Sequence, residues 1–79
     1  MRPDKSEEFK RWAANNAWAA PTVKKMCAAL TENKSFEEVL SYLYELRDLT
    51  YNHAACIIGS VAYFSERGDE FKQFWKARF

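Results

Sequence analysis

Apolar residues return along this chain at helical rather than strand spacing, and polar breaks divide them into five stretches. Phe9, Trp12, Ala13 and Asn16 or Ala17 form the first stripe. It predicts a helix over residues 4–19, with Trp18 beside the stripe and Pro21 as its stop. Asp4 with Glu7 three residues later has the form of a capping box. Pro21 also suits the first position of a second helix. Val23, Met26, Cys27 and Leu30 give that helix one clean face up to Thr31, and Thr-Glu-Asn-Lys reads as a polar turn.

The sharpest start signal is Ser35 with Glu38, an S-x-x-E capping box. Val39, Leu40, Leu43, Leu46 and Leu49 carry the inner side of the third helix. Thr50 and Asn52 are competent N-caps, so a short break near 49–52 is expected. The alternative is one helix through 36–66, which is long for a small domain. The fourth helix, about 52–66, lies in a run from Leu49 to Ser65 that holds no Asp, Glu, Lys or Arg. Ile57, Ile58, Val61 and Phe64 form its wide apolar side, and Ala55, Gly59 and Ala62 a strip of small residues. A glycine inside a helix costs roughly 1 kcal/mol relative to alanine, so Gly59 is expected to lie against a close backbone or ring. Gly68 reads as the stop of this helix and Asp69 as the cap of a last one over 70–78, striped by Phe71, Phe74, Trp75 and Phe79. The resulting fold class is all-α: a compact bundle of four to five short helices around a central charge-free helix, with residues 1–79 forming a single helical domain.

Length changes this picture in one respect. A chain of 79 residues builds a thin core, with a margin of roughly 3–5 kcal/mol unless a disulfide, metal or partner adds to it. Three Trp, four Tyr and six Phe compensate, since aromatic rings bury much area each. Trp18, Tyr42, Tyr44, Tyr51 and Tyr63 lie off or beside the apolar stripes. They are therefore either rings that bury at helix ends or surface contact anchors. Cys27 and Cys56 both fall in apolar patterns and read as buried free thiols of a reducing compartment. The charge-free run is shorter than the about 20 apolar residues of a membrane span, and no basic start leads into an apolar stretch. The expectation is a soluble, cytoplasmic protein.

The net charge of +1 hides a division. Residues 1–34 carry seven basic and four acidic side chains, residues 35–70 two and seven, and residues 71–79 three and none. Such blocks speak to association rather than to fold. The acidic, tyrosine-edged side of helix three, made of Glu37, Glu38, Ser41, Tyr42, Tyr44, Glu45 and Asp48, is the candidate protein-binding face. A homodimer contact through Ala55, Gly59, Ala62 and Tyr63 would extend the thin core. Lys24, Lys25 and Lys34 are the candidate phosphate contacts of a DNA-binding alternative. A helix-turn-helix reading of helices two and three is disfavoured, because the reading helix would be acidic.

Catalytic chemistry finds no pattern. His53 is the only histidine, and with two separated cysteines it does not supply zinc spacing. A Cys56–His53 pair three residues apart lacks an orienting group and an oxyanion site. The pairs Glu7–Glu8, Glu37–Glu38 and Asp69–Glu70 each suit the first turn of a helix. Phosphate-loop and nucleophile-elbow motifs are absent. The expectation is a non-enzymatic protein without metal or cofactor: a small regulator or inhibitor that binds a protein partner. Size alone is compatible with a phage or mobile-element origin. A DNA-binding regulator and a structural homo-oligomer are the alternatives.

Overall fold

Capping chemistry decides where the best-defined helices begin. In the computed structural model, which describes residues 1–78, the Ser35 hydroxyl accepts a hydrogen bond from the Glu38 amide (3.2 Å), and Thr50 does the same for His53 (3.1 Å). Each satisfies one of the amides that a helix start leaves unpaired. The five helices are α1 (Ser6–Asn15), α2 (Ala20–Thr31), α3 (Phe36–Tyr44), α4 (Tyr51–Phe64) and α5 (Gly68–Lys76), preceded by a 3₁₀ turn over Pro3–Lys5. The fold is an all-α bundle, as the apolar spacing predicts. Phe79 of the predicted last stripe lies outside the described residues.

Several boundaries differ from the sequence reading, each for a local reason. The expected Asp4–Glu7 box does not form. Pro3 starts a 3₁₀ turn that takes in Asp4, and Lys5 stands at the N-cap of α1 without a side-chain bond. Asn16 ends α1 four residues before the expected stop. Its backbone leaves helical geometry (φ −138°), and its side-chain amide donates to the Trp12 carbonyl at 2.8 Å. The α2 end is a Schellman turn: Asn33 takes a left-handed φ of 64°, its amide donates to Leu30, and the Lys34 amide donates to Ala29. The break after α3 comes earlier than expected, at 45–50, with Asp48 at φ 54°. Asparagine and aspartate tolerate this region better than other non-glycine residues.

The largest correction concerns the two glycines. Gly68 neither stops α4 nor has a positive φ. Ser65 ends α4 in an extended conformation, and Gly68 is the first residue of α5. A Cβ on Gly68 would stand 2.7 Å from the Val61 carbonyl carbon and closer still to its oxygen, so only glycine lets α5 fold back onto α4. Asp69 therefore lies in the first turn rather than at the cap. Gly59, for which a close neighbour was expected, has no heavy atom beyond its adjacent residues and the backbone of its own helix turn within 4 Å of where its Cβ would be.

The core joins Val23, Met26, Cys27 and Leu30 of α2 and Val39, Leu40 and Leu43 of α3. Ile57, Ile58, Val61 and Phe64 of α4 and Phe71 and Trp75 of α5 complete it. Helix α4 packs on both α2 and α5, and its Phe64 ring meets Phe9 (5.1 Å) and Trp12 (5.5 Å) of α1. The charge-free helix thus holds the others together, because its apolar side meets α2 and α5 and its Phe64 end meets α1, while the side through Cys56 and Gly59 stays open. The molecule measures 32 × 27 × 16 Å. Its short axis leaves room for little more than one layer of side chains between helices.

Candidate functional site

The outer side of α3 has two edges. Glu38, Tyr42 and Glu45, spaced at i, i+4 and i+7, run along the seam with α2. There Lys34 pairs with Glu38 (3.5 Å) and Lys25 with Glu45 (3.4 Å). Lys25 also lies over the Tyr42 ring (4.4 Å), whose hydroxyl donates to Glu38 (3.3 Å). Glu37, Ser41 and Tyr44 run along the other edge, towards α5, and Asp48 follows in the loop beyond the helix. Glu37 pairs with Arg78, and the Ser41 hydroxyl turns back on the Glu38 carbonyl (2.5 Å). The acidic middle and basic ends of the sequence therefore meet within one chain. These pairs are exposed, where an ion pair contributes about 0–1 kcal/mol.

The seam also separates the three lysines. Lys25 and Lys34 are engaged with α3, whereas Lys24 lies on the opposite side of α2, towards α1. The structure does not bring Lys24, Lys25 and Lys34 onto one surface.

The far end of α3 is different. Tyr44, Leu49, Thr50, Tyr51, Ala54 and Trp75 enclose an open cleft of about 220 Å³. Tyr44 is 54% exposed and Tyr51 64%, while Trp75 is buried and stacks on the Tyr51 ring at 5.7 Å. The 45–50 loop sets this geometry: it ends α3 just after Tyr44, and Thr50 starts α4 at Tyr51. Asp48 sits exposed in the loop, next to half-buried Leu49. Sequence reasoning named Tyr44 and Asp48 as residues of the protein-binding face and Tyr51 among the off-stripe aromatics, but gave no site role to Leu49 or Trp75. Tyr51 had a signal, as an aromatic off the apolar stripe directly after the cap.

The small-residue side of α4 divides. Ala62 is buried beneath Gly68, whereas Ala55 and Gly59 line an open trough flanked by Glu8, Trp12 and Tyr63. Tyr63 is held within the chain. Lys5 donates to its hydroxyl (3.1 Å), which in turn donates to Glu8. The bond with Tyr63 raises the Lys5 ammonium above its ordinary pKa. Cys56 lies exposed on the same trough, against the expectation of a buried thiol, because its position on α4 faces away from α2 and α5. Cys27 is buried, and desolvation pushes its thiol up to about 11. His53 packs its ring on exposed Trp18 (4.9 Å) at the start of α4. Among the described residues no cluster of His, Cys, Asp or Glu has the grouping of a metal site, and no helix is long and apolar enough to cross a membrane. The chain matches no protein-family model, no curated protein and no solved structure.

Proposed function

We propose that this protein is a non-catalytic interaction module, a small regulator or inhibitor. It binds a protein partner through the Tyr44–Tyr51 end of the acidic α3 face. The observation that carries this reading is the pair of tyrosines, each more than half exposed, around a cleft completed by Leu49, Ala54 and Trp75 at the end of the acidic α3. Tyrosine gives a large contact area at low entropic cost, and binding hot spots concentrate in such aromatic clusters at the rim of a pocket. The acidic residues favour a partner whose contacting surface is apolar with basic groups around it. The engagement of Lys25 and Lys34 with α3 favours a protein partner over a nucleic acid.

Affinity capture from a host lysate tests this reading, with wild type and a Tyr44→Ala, Tyr51→Ala double variant as baits. A partner retained by wild type and lost by the double variant is the expected result. Equal capture by both baits would place the binding surface elsewhere.

One observation favours a second reading, a homodimer through the Ala55–Gly59 trough: the chain itself leaves the space over Gly59 open. Light scattering would read a dimer that Gly59→Leu converts to monomer. A wild-type monomer at high concentration removes this reading.

A further inference from the structure

A concavity of about 630 Å³ lies between α1 and α2 and shares no residue with the tyrosine cleft. It exists because α1 is attached on one side only. Phe9 and Trp12 reach Phe64 of α4, yet no residue of α1 is buried. The other side of Phe9, with Ala13, faces Cys27 and Ala28 of α2 across the gap, and these four form an apolar floor.

The charges around this floor are mostly cationic. The link over 16–19 joins the end of α1 to the start of α2, and Met1 lies against Thr31 (3.0 Å), so α1 runs antiparallel to α2 across the cleft. Lys10, further along α1, therefore lies at the Lys24 end, and Glu32 at the other. Lys24 has no ion pair among the described residues, and Lys10 has only an exposed one with Glu7 (3.2 Å). Lys24 and Thr31 stand two turns apart, about 10 Å at the helical rise. Two lysines thus stand at one end of an apolar floor about 10 Å long, and at the other the Met1 ammonium and Glu32 offset each other.

We propose that the α1–α2 cleft binds a medium-chain carboxylate. The anionic head lies between Lys10 and Lys24, and the tail lies over Phe9, Ala13, Cys27 and Ala28. Charge complementarity selects the occupant. Cationic groups outnumber the single carboxylate among the lining residues, so an anionic head is drawn to the lysine end, and a tail of this length covers the apolar atoms that α1 leaves half exposed.

Amide chemical shifts of the full chain, titrated with hexanoate, octanoate and decanoate below their micelle concentrations, test this. Shifts confined to residues 6–13 and 24–32 are expected, with affinity rising about two- to fourfold per added methylene. Decyltrimethylammonium, with the same tail and the opposite head, should bind at least fivefold more weakly than decanoate. Lys24→Glu should reverse that order. Ala28→Phe, at an exposed position, should fill the cleft and abolish binding while the melting temperature holds. The proposal is overturned by an absence of shifts, by shifts elsewhere, or by equal binding of both head groups. It is also overturned by a dimer that Ala28→Phe dissociates, because a second copy would then be the occupant.

Discussion

Gly68 and Gly59 sit nine positions apart and meet opposite surroundings. Gly68 touches the α4 backbone where no side chain fits, and Gly59 faces open space. Gly68→Ala should therefore destabilise the protein by about 2–3 kcal/mol or more through overpacking. Gly59→Ala should stabilise the monomer by about 0.5–1 kcal/mol through helix propensity. Denaturant midpoints of the two variants would measure this, and a destabilising Gly59→Ala would contradict the open trough. The cysteines divide similarly. In native protein Cys56 should react rapidly with a thiol reagent at pH 8 while Cys27 stays protected, so two fast thiols would contradict its burial. The raised Cys27 pKa has a definite sign. Its contribution is fully present below the unfolded thiol pKa of about 8.5–9, and it is lost as pH rises through about 11. Stability should accordingly fall more steeply between pH 9 and 11 in wild type than in Cys27→Ala, where the other titrating groups are the same.

At the scale of elements, the starts capped by a hydroxyl were legible, whereas the Asp4 and Asp69 caps did not form. Ser35 and Thr50 announce themselves because a hydroxyl before an apolar run satisfies a specific amide in any context. Thr50→Ala should cost about 1 kcal/mol, read as a lowered denaturant midpoint, and an unchanged midpoint would mean that the cap at Tyr51 carries nothing. Ends depend on contacts that the local pattern does not encode. The α2 end is closed by Asn33 in the left-handed region and by Arg67, whose guanidinium donates to Asn33 Oδ1 (2.6 Å) and to the Leu30 carbonyl (3.4 Å) from 34 and 37 residues away. The α4 end depends on Gly68 pressing against Val61, and the start of the chain adds a bond from the Arg2 amide to the Phe64 carbonyl (2.8 Å). Gly68 and Asp69 looked like a stop and a cap because those are the usual local roles of such residues, and a long-range contact overrode them.

Across the whole molecule, the all-α class and the linking role of the charge-free helix could be read from periodicity. Burial of α2, α3 and α4 follows one face each, so Val23, Met26, Cys27, Leu30, Val39, Leu40, Leu43, Ile57, Ile58 and Val61 all enter the core. The surfaces were less legible. The charge blocks suggested attraction to another molecule, yet Lys34–Glu38, Lys25–Glu45 and Arg78–Glu37 are pairs within the chain, and linear order could not reveal which blocks would be neighbours. The tyrosine cleft needs α3, the 45–50 loop, α4 and α5 together, and of its lining only Tyr44 and Tyr51 stood out beforehand, as aromatics off the apolar stripes. The proposed interaction rests on that cleft. Hydrogen exchange of the protein alone and with its captured partner bound tests it most directly. Protection concentrated on the 44–54 segment and around Trp75 is the predicted result. Protection confined to α1 and α2, with the 44–54 segment exchanging as in the free protein, would contradict it.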